Sequence, residues 1–169
     1  MSYFEEIEES EEGFNPNERL LIPDNTQLRC VIAAVKWENT NERTAEVDGK
    51  RYISVSVMVD EKGKYFTQLV DHKLYIESND VKKKNRALRF LSAYDSLAKG
   101  KLRVADKEGR EFTDRVLAHA LNGTKLACTF RTWEIENMKG NWVESIGKVR
   151  QVKEKAHVEE ETSEDDITF

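Results

Sequence analysis

Alternation is the clearest pattern in the chain. From Tyr52 to Val59 the apolar residues Ile53, Val55, Val57 and Val59 fall on one side of an extended segment, with Tyr52, Ser54, Ser56 and Met58 on the other. Gln27 to Trp37 reads the same way through Leu28, Cys30 and Ile32, and Asp48-Gly49 makes the turn between the two strands. Asp60-Glu61-Lys62-Gly63 suits a reversal into a third strand, Lys64 to Tyr75, with an interruption near Asp71-His72. The period then changes. Ala87, Leu88, Leu91, Tyr94 and Leu97 recur at helical spacing, so a helix is expected from a cap among Ser78, Asn79 and Asp80 to about Lys99, stopped by Gly100. Residues 101–110 are polar and read as a loop or a weak hairpin. Thr113 caps a short helix carrying Val116, Leu117 and Leu121. Lys125 to Ile135 is a fourth strand, Met138-Lys139-Gly140-Asn141 its turn, and Trp142 to Val152 a fifth.

Three strands, a helix and two more strands form the order of a mainly β, five-stranded oligonucleotide-binding barrel (OB-fold), its helix lying between strands 3 and 4 and plugging one open end. The same pattern also fits a five-stranded open sheet with one helix. Leu20-Leu21-Ile22-Pro23-Asp24 is expected to pack against the body and turn. The organisation read from the sequence is an acidic lead-in over residues 1–18, a folded body over 19–154 and a disordered acidic tail over 155–169.

Charge changes this picture more than composition does. The net charge is −5, but residues 1–16 and 156–169 each hold six acids and no Lys or Arg. Removing those twelve from the chain's 32 acids leaves 20 against all 27 basic residues, so the body carries +7. A basic body between acidic ends attracts a polyanion while its own ends compete with it. No stretch approaches the roughly 20 apolar residues that span a bilayer, and the N-terminus has no basic and apolar leader, which leads us to expect a cytoplasmic protein. Cys30 and Cys128 lie in apolar contexts and read as buried free thiols, with no zinc spacing.

Nothing in the sequence suggests catalysis, a cofactor or a metal. His72, His119 and His157 are widely spaced, and no nucleophile or paired-carboxylate pattern accompanies them. Binding is better supported. A strand of nucleic acid is held without sequence preference by aromatic platforms and phosphate-neutralising cations, and those residue types occur together here. Lys36 and Trp37 end the first strand, Arg51 and Tyr52 start the second, Lys64 and Tyr65 the third, and Arg131 and Trp133 lie on the fourth. Trp142 faces them across the last hairpin. Phe66, Phe90 and Phe130 read as core, and tryptophan also seals small barrels. Lys82-Lys83-Lys84 at the helix start oppose the helix dipole, which hints at an electrostatic role for the cluster.

The chain closes on the acidic run Glu159-Glu160-Glu161-Thr162-Ser163-Glu164-Asp165-Asp166 followed by Ile167-Thr168-Phe169. Asp165-Asp166-Ile167-Thr168-Phe169 resembles the acidic tip of bacterial single-stranded DNA-binding proteins, with Thr168 where proline is usual. In that family the terminal phenylalanine and the aspartates before it dock onto replication, recombination and repair proteins. The opening Met1-Ser2-Tyr3-Phe4-Glu5-Glu6-Ile7, the Leu21-Ile22-Pro23 triplet and Lys84-Asn85-Arg86-Ala87-Leu88-Arg89-Phe90-Leu91 resemble small phage single-stranded DNA-binding proteins from recombination cassettes. The resemblance implies an oligonucleotide-binding fold in a host-cell cytoplasm, no enzymatic activity, and partnership with a strand-annealing recombinase or helicase. It assigns partner binding to Asp165, Asp166, Ile167 and Phe169.

Overall fold

The alternation around Val55 does build a strand, and its neighbours follow from it. A computed structural model describes residues 20–149. In chain order these form β1 (Thr26–Asn39), α1 (Ala45–Asp48), β2 (Arg51–Val59), β3 (Leu69–Leu74), α2 (Val81–Leu97), α3 (Lys101–Lys107), α4 (Asp114–Leu121), β4 (Lys125–Ile135) and β5 (Met138–Gly147). The acidic lead-in, Asp165, Asp166, Ile167, Phe169 and the rest of the acidic tail lie outside the described residues.

The five strands form one antiparallel sheet in the order β3-β2-β1-β4-β5. Register sorts its side chains. Cys30, Ile32 and Val35 of β1 stand beside Val59, Val57 and Val55 of β2, and Leu28 and Cys30 beside Cys128 and Leu126 of β4. This inner face packs against the helices through Leu91, Tyr94, Leu102, Leu117 and Leu121. Burying a Val, Leu or Ile in full contributes roughly 1.5–3 kcal/mol, so this two-layer core holds the fold. An irregularity in β1 between Ile32 and Ala34 shifts the register by one residue, letting a single long strand pair with β4 at one end and β2 at the other.

The barrel expected from the sequence is not formed. β3 and β5 approach each other but share no ladder, so the sheet is open. The space between them is taken by other groups. Helix α2 contacts both strands. Ile22, fully buried, exchanges two hydrogen bonds with the Asn141 side chain of β5 (2.9 and 2.8 Å), and the Leu20 carbonyl accepts from Gln68 just before β3. Nor is the chain mainly β with one helix. Three helices, not one, separate β3 from β4, giving a mixed α/β arrangement.

Asp80 caps α2 by accepting from the backbone N–H groups of Lys82 and Lys83, and Gly100 stops it at φ 78. The Thr113 hydroxyl caps α4 by accepting from Val116. Three local expectations are corrected. Residues 101–107 are helical, because the carboxylate of Asp95, buried in α2, accepts from the N–H groups of Leu102 and Arg103 (2.7 and 3.1 Å). The third strand begins only at Leu69, after a turn through residues 64–67. The last hairpin turns at Glu136-Asn137, with Glu136 at φ 55, so Met138 to Asn141 belong to β5.

Candidate nucleic-acid interface

The outer face of the sheet is built by the residues that alternate with the core. The register aligns Lys36, Ser54 and Lys73 in one row across β1, β2 and β3. In the adjacent row Glu38 pairs with Tyr52, and Tyr75 follows at the end of β3. The Tyr52 and Tyr75 rings meet with centroids 5.0 Å apart, tilted by 44°. Each also receives a cation. Lys73 Nζ lies 5.5 Å from the Tyr52 centroid and Lys83 Nζ 4.4 Å from that of Tyr75. Burial raises both phenol pKa values, so the rings stay neutral at physiological pH. Beside Tyr75 a cleft of about 190 Å³ opens between β3 and α2, lined by Lys73, Lys83, Arg86 and Phe90 among others. Its floor is His72, whose Nδ1 lies 2.7 Å from the Tyr94 hydroxyl and whose ring meets Phe90 edge-on. Burial, helped by Arg86, lowers the His72 pKa to about 4 and keeps the imidazole neutral.

The sequence candidates divide between places. Lys36, Tyr52 and Lys83 gather around this surface, joined by Arg86, which follows the lysine cluster on α2, and by Tyr75 and Lys73, which sequence reading passed over. Tyr75 was read only as a strand end; its signal is its place in the same alternation as Tyr52. Lys36 is exposed and bonded to Glu38 at 3.0 Å, which raises its pKa. Lys83 reaches Asp48 at 2.6 Å, while Lys82 and Lys84 are exposed on the first turn of α2.

Trp37 and Arg51 lie on the other face. The Trp37 indole N–H donates to the Phe112 carbonyl, its backbone N–H to Asp114, and the Arg51 guanidinium covers its ring at 3.7 Å. Arg51 in turn is paired with Glu77 at 3.1 Å. Lys64 is exposed in the β2–β3 turn, and Tyr65 beside it packs against the core.

Arg131 and Trp133 sit on the β4–β5 hairpin. Arg131 bonds Asp24 at 3.0 Å and Glu144 at 3.3 Å. Trp133 lies over Gly140, where any Cβ would come within 2.5 Å of the indole, so only glycine lets the ring lie flat there. By register Trp133, Ile135, Met138 and Trp142 share one face of this hairpin. Ile135 and Met138 are 63% and 65% exposed.

Among the described residues no group of His, Cys, Asp and Glu could hold a metal ion, and no helix is long and apolar enough to cross a membrane. Cys30 and Cys128 are buried free thiols. Comparison with family models and with curated proteins finds no match to this chain.

Proposed function

We propose that this protein binds single-stranded DNA without sequence preference, on the outer face of β1–β3 and the adjoining β3–α2 cleft, in support of phage replication, recombination or repair. The observation that carries the reading is the Tyr52–Tyr75 pair with lysines at both rings. Paired aromatics offer stacking surface to any base, and Lys36, Lys73 and Arg86 lie where a backbone running past the rings would meet them. The +7 body supplies the long-range attraction. The acidic tip at Asp165, Asp166, Ile167 and Phe169 would recruit a recombinase or helicase.

The test is a titration of labelled oligo-dT and of a duplex of equal length, followed by anisotropy. Single-strand binding should be the tighter, and Tyr52→Ala or Tyr75→Ala should each weaken it by about 1–3 kcal/mol while Tyr52→Phe stays near wild type. Equal affinity for duplex, or an unchanged affinity in both alanine variants, overturns the assignment.

A second reading is a protein-interaction module with no nucleic-acid function. The exposed apolar hairpin of Trp133, Ile135, Met138 and Trp142 favours it. The same titration separates the two, because this reading requires no oligo-dT binding.

A further inference from the structure

The helical layer carries a second basic site, on the opposite side of the sheet from the tyrosines. A cavity of about 440 Å³ lies between α3 and α4, rimmed by Lys99, Lys101, Arg110 and Arg115 and floored by the apolar pair Val104 and Val116. Val104 is 52% exposed although it stands in the middle of a helix. Arg110 is bonded to Glu108 at 2.9 Å, but Lys99, Lys101 and Arg115 have no carboxylate within salt-bridge distance among the described residues. Three unmatched cations around an apolar floor suit a ligand that is both acidic and apolar. A phosphodiester strand supplies the charge but has no need of the floor.

The chain contains such a ligand. Residues 159–169 hold six carboxylates, in Glu159, Glu160, Glu161, Glu164, Asp165 and Asp166, followed by the apolar side chains of Ile167 and Phe169. They can also reach. The last paired residue of β5, Gly147, stands opposite Ala127, six residues beyond the last residue of α4, Leu121, whose final turn lines the cavity through His119 and Ala120. Nine residues separate Val149 from Glu159, enough for roughly 30 Å of extended chain.

We propose that the cavity between α3 and α4 is the resting site of the chain's own acidic segment 159–169, with Phe169 and Ile167 on Val104 and Val116 and the carboxylates on Lys99, Lys101 and Arg115. The segment is then held by its own chain until a partner with a better-fitting basic pocket displaces it. This arrangement does not depend on the nucleic-acid reading, because it uses neither the tyrosines nor their lysines.

The test places the photo-crosslinking residue p-benzoylphenylalanine at position 169 of the full chain, in the absence of nucleic acid. Irradiation should join position 169 to peptides within residues 99–120 in the monomer band. The double reversal Lys101→Glu with Arg115→Glu should lower that yield about tenfold, with an unchanged thermal melt confirming that both exposed substitutions leave the fold intact. Adding oligo-dT should leave the crosslink in place. Crosslinks that map to the outer sheet face, that appear only in a dimer band, or that persist at full yield in the double reversal overturn the proposal.

Discussion

The outer sheet face and the α3–α4 flank both carry cations, yet these are held differently. On the sheet side Lys36 is bonded to Glu38 and Lys83 to Asp48, and on the neighbouring hairpin Arg131 is bonded to Asp24 and Glu144. On the flank Lys99, Lys101 and Arg115 meet no carboxylate among the described residues. A count of charges along the chain treats these surfaces as equal, and the structure does not. Exposed ion pairs are worth only about 0–1 kcal/mol, so a phosphate can displace the carboxylates of the sheet face. That face is thus preset in geometry, with lysines fixed beside rings, whereas the flank offers free charge over an apolar floor.

The largest effect expected from separating the two surfaces is a pH response on the sheet side. His72 supports the β3–α2 cleft from beneath, facing Tyr94 and Phe90, with Arg86 as the nearby charge. Its folded pKa of about 4 lies below the ordinary value of 6.5. Above pH 6.5 neither the folded nor the unfolded chain protonates it, and stability is independent of this group. As pH falls from 6.5 towards 4 the unfolded chain takes up the proton and the folded one does not, so stability drops by roughly 3 kcal/mol across that window. Denaturant unfolding at a series of pH values should show this slope in the wild type and a flatter one in His72→Gln. An identical slope in the variant would place the acid sensitivity elsewhere.

A somewhat smaller effect belongs to the flank. Asp95→Ala removes the carboxylate that accepts from Leu102 and Arg103, leaving the start of α3 uncapped and partly buried. Loss of such a cap costs about 2 kcal/mol. Thermal unfolding by circular dichroism should record it, and oligo-dT affinity measured well below the transition should not change. A parallel loss of affinity would show that the two surfaces are not separable.

Asp95 also explains where sequence reading stopped. α2 and α4 were legible because their caps, Asp80 and Thr113, stand next to the helices they start, and β2 because its alternation is strict. α3 was not, since its N-cap position is Gly100, with no side chain to accept, and the acceptor lies seven residues away from Leu102 on the previous helix. The open sheet was illegible for a similar reason. Strand count and order do not say whether β3 and β5 pair, and what fills the space between them is Ile22, held by Asn141 from 119 positions along the chain. At the site, Tyr52 and Lys36 were visible as an aromatic and a cation on strands, whereas Tyr75 and Lys73 became visible only once register placed them beside Tyr52 and Ser54. Trp37 shows the converse. Its neighbours in sequence suggest a platform, and contacts from Phe112, Asp114 and Arg51 cover it.

The smallest expected effect tests the comparison most directly, because it concerns single charges. Lys36 and Lys73 flank Ser54 on the outer face, one row from the tyrosine pair. If each meets a phosphate, replacing it with glutamine removes one counterion released on binding, and the slope of log affinity against log salt becomes shallower by about 0.7 for a single strand. The loss of affinity at moderate salt should stay near 1 kcal/mol, since Lys36 already spends part of its charge on Glu38. Lys101→Gln and Arg115→Gln on the flank should leave the slope at the wild-type value. Slopes that fall equally for both pairs would mean that the strand wraps past the sheet onto the helices, and the division between a nucleic-acid face and a peptide-holding flank would have to be abandoned.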